Sequence, residues 1–268
     1  MGRFIFCACP FYLYSMLKIA AVQFDIQWED AKSNRRLIEQ LIKTQSDCDV
    51  IILPEMFTSG FSTNVAIIAE DIDGPSIYWM QKLAKDYDCA ICGSISTKLN
   101  TKFVNRFYWA DHQGVQYYDK KHLFGYGKES DVYSPGTNHT LIEYKGWKIL
   151  PLICYDLRFP VWSRNTMDYD LLLYVANWPD TRANAWRILL KARAIENLCY
   201  VCGVNRVGVD GVGLKYIGDT AIIDYKGDEL ASLKDEQGVL TASIEKMEML
   251  NFRAKFNFLN DKDEFTLD

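Results

Sequence analysis

Short runs rich in Val, Ile, Leu and Tyr recur along this chain with amphipathic stretches between them, and that alternation restricts the fold more than any other feature. The clearest runs are "LKIAAVQF", "CDVIILPEM", "DCAICGSIS", "FVNRFYWA", "KILPLICYD", "DLLLYVANW", "LCYVCGVNR" and "IGDTAIIDY". Apolar runs this short, rich in β-branched residues and bounded by turn residues, read as buried strands. The intervening segments carry helical spacing. "AKSNRRLIEQLIKTQ" repeats apolar residues at Leu37, Ile38, Leu41 and Ile42, and "SIYWMQKLAKDY" follows the turn signal Gly74-Pro75. "NAWRILLKARAIENL" reads as a third helix. Strands interleaved with helices predict an α/β layered domain. No repeat array, low-complexity linker or break in composition divides it, so one continuous domain is expected.

A chain of 268 residues, 49% hydrophobic and 24% charged, has the makings of one large domain with a sizeable core and is not disordered. Its net charge of -5, with Lys and Arg interspersed, provides no basic stripe, so nucleic acid is not an expected partner. No run approaches the ~20 apolar residues of a membrane span. The eight cysteines are scattered through apolar segments of a chain too large to need stapling, which suits a reducing, cytoplasmic setting. The C-x-x-C pairs Cys89/Cys92 and Cys199/Cys202 raise the question of zinc. In strands, residues three apart face opposite sides and cannot close on one ion, so no metal site is expected. The opening "MGRFIFCACPFYLYS" is a poor signal peptide, because Pro10 interrupts its apolar run and no small-residue cleavage site follows. Residues 1–15 are expected to be an extension outside the fold, with Met16 opening a domain of residues 16–268.

The ends of the apolar runs carry the chemistry. "VIILP" ends in Glu55, "VQYYD" in Lys120, "ILPLI" in Cys154, "LLLYVA" in Asn177 and Trp178, and "YVCGV" in Asn205 and Arg206. Neighbouring strands of an α/β sheet deliver their loops to one edge, so these groups are expected in one crevice. A thiol of ordinary pKa near ~8.5 needs a base or a cation before it attacks. Glu55 is placed to be that base, and Lys120 or Lys121 that cation and the partner of a developing oxyanion. If Cys154 opens a helical turn, the Tyr155 backbone N–H is a second oxyanion donor. The set is suited to acyl transfer. His122 offers a rival cysteine–histidine dyad, although in "KKHLF" a structural hydrogen bond to backbone is the expected role. Cys154 could otherwise be an ordinary core cysteine and Glu55 a helix cap, but a carboxylate flanked by Pro54 and Met56-Phe57 is not cheaply buried without a partner.

At "LPEMF", "YDKKHLF" and "ICYDLRFP" the sequence resembles the nitrilase superfamily of carbon-nitrogen hydrolases, over Met16 to about Phe256. The resemblance implies a four-layer αββα sandwich, dimerised as a homodimer, with no metal or organic cofactor. It selects Lys120 over Lys121, and matches Glu129 in "GYGKESDVYSPG" to a second carboxylate near the lysine. The roles it implies are Cys154 as nucleophile, Glu55 as proton carrier, Lys120 as oxyanion holder, and a thioester intermediate. The strings "ICYDLRFPVW", "YVANWPDTRANAW", "KARAIENLCYVCGVNRVGVDG" and "YIGDTAIIDYKGDEL" are similar to the ω-amidase branch, whose small-molecule substrates are short dicarboxylic monoamides such as 2-oxoglutaramate and 2-oxosuccinamate. The far carboxylate of such a substrate needs a cation. Arg158, four residues after Cys154, is expected to supply it, with Trp178 walling the pocket; a salt bridge from Arg158 to Asp156 or to a neighbouring subunit is the structural alternative. The rival functions are another superfamily reaction, on a carbamoyl-amide, an aliphatic amide or a nitrile, and an idle dimeric scaffold.

Overall fold

The strand-like runs and helical spacings appear in the computed structural model, which describes residues 15–45 and 47–266. The expected extension, residues 1–15, lies outside the described residues except for Ser15, whose carbonyl accepts a 2.7 Å hydrogen bond from Lys246 N. The strands are β1 (Met16–Gln23), β2 (Val50–Ile52), β3 (Glu70–Asp71), β4 (Ala90–Leu99), β5 (Lys102–Asp111), β6 (Gly114–Asp119), β7 (Ile142–Tyr144) and β8 (Trp147–Ile153). They continue with β9 (Leu171–Val175), β10 (Tyr200–Val204), β11 (Val207–Val209), β12 (Lys215–Ile217), β13 (Thr220–Ile223), β14 (Glu229–Leu233) and β15 (Gly238–Glu245). The helices are α1 (Ala31–Ile42), α2 (Val65–Ile68), α3 (Pro75–Tyr87), α4 (Pro160–Ser163), α5 (Ala183–Asn197) and α6 (Lys246–Lys255).

Local chemistry sets the helix ends. Asp30 caps α1 by accepting from Ser33 N at 3.0 Å. Pro75 opens α3, where its missing N–H costs nothing, and Asp88 closes it in a left-handed conformation.

Two sheets form the centre, in the orders β15-β1-β2-β4-β5-β6, with β3 paired to β4, and β14-β13-β10-β9-β8-β7. Their facing sides share one core: Leu17, Ile19, Val50 and Trp109 belong to the inner face of the first sheet, and Ile149, Leu171, Leu173 and Cys202 to that of the second. The other face of the first sheet buries Ile38 and Ile42 of α1 and Met80 and Leu83 of α3. Fully burying side chains of this size contributes roughly 1.5–3 kcal/mol each. On the far side, α5 seats Trp186, Leu190 and Ala194 against the second sheet. The layers therefore run helix, sheet, sheet, helix, the α/β sandwich expected. Gly203 of β10 allows α5 this close: a Cβ there would lie 2.5 Å from Leu190 Cδ1. Alanine at 203 forces the helix outward, an overpacking that costs about 1–3 kcal/mol.

Strand direction positions the site. β1, β2 and β4 are parallel, and β6 runs with them because two antiparallel steps through β5 restore the direction. β8, β9 and β10 are parallel in the second sheet. Pro151 is tolerated inside β8 because β7 pairs only with Trp147, Lys148 and Ile149, so no ladder bond is lost on that side.

Candidate active site

Cys154 sits where β8 breaks into a short 3-10 turn, Cys154–Arg158, with φ of +44° at the cysteine itself. Left-handed backbone at a residue with a side chain costs about 1–2 kcal/mol, so the surroundings must hold it. Asp156 does so from beneath. Its buried carboxylate accepts from Ile153 N at 3.0 Å, from the Tyr118 hydroxyl at 2.8 Å and from His122 N at 3.0 Å, and His122 Nδ1 lies 2.8 Å away. All but the Ile153 donor belong to the segment carrying Lys120, so the cysteine corner and the lysine are locked to one carboxylate.

Glu55 follows β2 at a second strained point: Met56 has φ of +45°, and its N–H donates to Ser94 Oγ at 2.9 Å. The Glu55 carboxylate accepts from Lys120 Nζ at 2.8 Å, Asn105 Nδ2 at 2.8 Å and Asn177 N at 2.8 Å. Lys120 Nζ also lies 2.9 Å from Glu129, which accepts from Asn105 Nδ2 at 3.1 Å and Phe124 N at 2.6 Å. Lys120, Glu55 and Glu129 side chains are all 0% exposed. One ammonium thus stands between two carboxylates, and one asparagine bridges the same pair.

This arrangement sets the protonation states. Burial alone would lower the Lys120 pKa, but the charges of Glu129 and Glu55 outweigh it and push it up, so the ammonium is permanent at neutral pH. Burial raises the Glu129 pKa, opposed by Lys120 and assisted by Glu55. Burial first, and the charge of Glu55 second, raise the Cys154 thiol well above its usual range, with Lys120 pulling the other way. The resting thiol therefore keeps its proton. Attack requires that proton to leave as the sulfur bonds, and Glu55 is the carboxylate at hand.

Cys154 opens onto a cavity of about 460 Å³. Its walls are largely aromatic, with Phe61, Phe124, Tyr155, Trp178 and Tyr216, and Arg158 and Arg182 stand among them. The Arg158 guanidinium lies 4.9 Å from the Trp178 ring centroid, and Trp178 Nε1 is tied to the Arg182 carbonyl at 2.8 Å. Among the described residues Arg158 makes no ion pair; the Asp156 oxygens that were its alternative are already taken.

Of the residues expected from sequence, Glu55, Lys120, Glu129 and Cys154 converge, and Tyr155, Arg158 and Trp178 line the cavity above them. Asn205 and Arg206 do not line it. Asn205 grips the Trp178 main chain at 2.8 and 2.9 Å, and Arg206 reaches back to Asp25 at 2.9 Å, joining the two sheets' loops. The backbone hydrogen bond expected of the His122 ring is a correction: the ring meets a carboxylate, Asp156, and stacks on Phe159 at 3.6 Å. Lys121 lies partly exposed over Trp162, as an ordinary surface lysine does. Asn105 was missed, since a polar residue inside a strand run has no spacing signal. Asn177 was noticed only as a strand end; its Nδ2 holds the Glu55 carbonyl at 2.7 Å, and its buried Oδ1 has no hydrogen-bond partner among the described residues.

Residues 18–253 match the family model of the carbon-nitrogen hydrolases. The chain belongs to the carbon-nitrogen hydrolase family. This carbon-nitrogen hydrolase is 43% identical to "Omega-amidase YafV" of Escherichia coli K12, over 94% of its own length and 98% of the relative's. It is 34% identical to "2-oxoglutaramate amidase" of Bacillus subtilis, over 91% and 96% of the two chains. In structure it is similar to XC1258 of Xanthomonas campestris, a CN-hydrolase superfamily protein solved with an arsenic adduct in its active site, at TM-score 0.92, 43% identity, and 94% and 99% coverage. Yeast Nit3, of the nitrilase superfamily, shares the fold at TM-score 0.81 and 24% identity, over 91% and 95% of the chains.

In this hydrolase the C-x-x-C cysteines part as strand geometry requires. Cys89 packs on the α1–α3 side of its sheet and Cys92 in the core between the sheets. Among the described residues no group of three or more His, Cys, Asp or Glu has the placement to hold a metal, and no helix is long and apolar enough to cross a membrane.

Proposed function

We propose that the chain is an ω-amidase, hydrolysing the terminal amide of short 2-oxo dicarboxylic monoamides to the diacid and ammonia. The observation that carries this reading is a thiol at the foot of an aromatic cavity, beside a carboxylate–ammonium cluster, with the uncommitted Arg158 guanidinium on the same wall. The names of the two relatives, an ω-amidase and a 2-oxoglutaramate amidase, support it.

The reaction follows from the geometry. Glu55 takes the Cys154 proton as sulfur bonds to the amide carbon. The oxyanion is met by Lys120, a charge that costs no reorganisation because its two carboxylates already hold it in place. The Tyr155 N–H, in the first turn of a 3-10 helix and without an intrahelical acceptor, is the second donor. Collapse breaks the C–N bond, and Glu55 returns its proton to the departing ammonia. Water then gives a proton to Glu55 and adds to the thioester; the acid leaves and the thiol is restored. Glu129 holds Lys120 against Glu55 and acts through it. Asn177 Oδ1 leaves an acceptor for the amide N–H at the wall.

Arg158 selects the substrate. An unpaired guanidinium over an indole suits a carboxylate in two-point contact, and a nitrile or a simple amide does not need it. Ammonia release from 2-oxoglutaramate, 2-oxosuccinamate, an aliphatic amide and a nitrile tests the reading. Arg158→Met is expected to cripple the first two and spare the others; equal activity on all four would overturn it. The assembly we propose is a homodimer, and sedimentation of the intact chain as a monomer would refute that part alone.

A further inference from the structure

Two guanidinium groups, not one, stand free on the cavity wall. Arg182 was not singled out from the sequence. Its guanidinium carbon lies 5.1 Å from the Phe124 ring centroid, much as Arg158 lies over Trp178. Among the described residues neither arginine side chain has a hydrogen bond or ion pair to a carboxylate. The acids of the same cavity are already engaged. Glu29 accepts from Ser62 Oγ at 2.7 Å and Asn64 Nδ2 at 3.4 Å, and Asp210 accepts from Tyr216 Oη, Val212 N and Leu214 N at 2.9 to 3.0 Å. The cavity thus has an unspent positive charge on two sides.

The two arginines are also mechanically joined. Trp178, under Arg158, is pinned through Nε1 to the Arg182 carbonyl, and Phe124, under Arg182, donates its N–H to Glu129. Phe124 further touches Tyr155, next to the nucleophile, at 5.1 Å between ring centres. Both guanidiniums are therefore fixed relative to the reacting cluster by aromatic plates, while their donor edges are uncommitted.

One forked guanidinium satisfies the two oxygens of a carboxylate. A 2-oxo carboxylate offers a third acceptor, the ketone oxygen, beside the first two. We infer that Arg182 is a specificity-determining residue that reads this ketone oxygen while Arg158 takes the carboxylate, so that the pair distinguishes a 2-oxo acid amide from the corresponding plain acid amide. The inference rests on the ω-amidase reading and deepens it.

The test compares kcat/KM for ammonia release from 2-oxoglutaramate and from glutaramate, which has the same chain length but no ketone. Wild type, Arg182→Met and Arg182→Lys are measured. Methionine keeps the apolar stem over Phe124, and the Arg182 carbonyl that holds Trp178 survives any side-chain change; melting curves check that the fold is retained. Arg182→Met is expected to lose about 10- to 100-fold on 2-oxoglutaramate and less than about 3-fold on glutaramate, with Arg182→Lys in between on the first amide. An equal fall on both amides would make Arg182 a general source of positive potential and overturn the inference, as would no fall on either. A wild type that hydrolyses neither amide sinks the ω-amidase reading and this inference with it. A wild type active on both, with no dependence of the ketone preference on Arg182, sinks this inference alone.

Discussion

Replacing Lys120 by Met keeps the length and apolar stem of the side chain and removes only the charge between two carboxylates. In the native protein Nζ is 2.8 Å from Glu55 and 2.9 Å from Glu129, and none of the three side chains reaches solvent. Without the ammonium, both carboxylates are left with Asn105 as their shared side-chain donor. Breaking a buried pair from one side costs about 3–5 kcal/mol. The two like charges also force one carboxyl to hold its proton, raising its folded pKa above the ordinary value near ~4.3. The sign follows: between those two pKa values the folded variant binds more protons than the unfolded chain, so its deficit shrinks as the pH falls from 7 toward the ordinary carboxyl value. Urea unfolding of wild type and variant at pH 7 and pH 5, with ammonia release measured alongside, reads all of this. The expected result is a loss of at least ~3 kcal/mol at pH 7, a smaller loss at pH 5 and no turnover. Lys121→Met, which removes only a partly exposed contact 5.4 Å from the Trp162 ring centre, is the control and is expected to cost no more than about 1 kcal/mol. A Lys120→Met deficit below ~1 kcal/mol, the range of an exposed ion pair, or one unchanged between the two pH values, refutes the reasoning.

Glu55→Gln leaves shape and most hydrogen bonds but cannot take a proton, so turnover is expected to fall by about 10²- to 10⁴-fold. His122→Ala is expected to retain measurable turnover, because its ring faces Asp156; the reverse ranking would revive the cysteine–histidine dyad. Burial holds the Cys154 and Cys92 thiols above their ordinary range, as it does the Tyr118 and Tyr169 hydroxyls. Stability from these groups is complete below their unfolded pKa values and is lost as the pH rises beyond them. The urea midpoint should therefore fall above pH ~8.5, and a midpoint that climbs between pH 9 and 10 contradicts the assignment. Iodoacetamide is expected to reach Cys154 and also Cys48, which is only half-buried and whose thiol is lowered by hydrogen bonding to Cys89. Only Cys154 should be protected by substrate, and equal protection of both would argue against it as the nucleophile.

Much of this was legible because strand ends carry both structural and chemical signals. Glu55, Lys120 and Cys154 each follow an apolar run, and parallel strand direction is enough to bring such ends together. The residues alone did not separate Lys120 from Lys121; burial does, and burial depends on Gly136 donating to the Lys120 carbonyl and on Asn105 accepting from its N–H, contacts between distant segments. Asn105 itself is indistinguishable in sequence from an outward-facing polar residue of a strand. The edge strands β14 and β15, one in each sheet, were also unread, because their residues are mostly exposed or half-buried and give little apolar alternation. The left-handed backbone at Cys154 and Met56 had no sequence signal, since neither residue type favours it. Arg182 was invisible for a related reason: its relation to Phe124 is set by the fold and not by spacing.

If acyl transfer passes through the Cys154 sulfur, rapid-quench intact-protein mass spectrometry during turnover of 2-oxoglutaramate catches the acyl group there. The prediction is a transient species heavier by the substrate less ammonia, mapped to the peptide containing Cys154 and absent from Cys154→Ala. Ammonia release by Cys154→Ala at the wild-type rate, or an acyl group carried on any other residue, would contradict it.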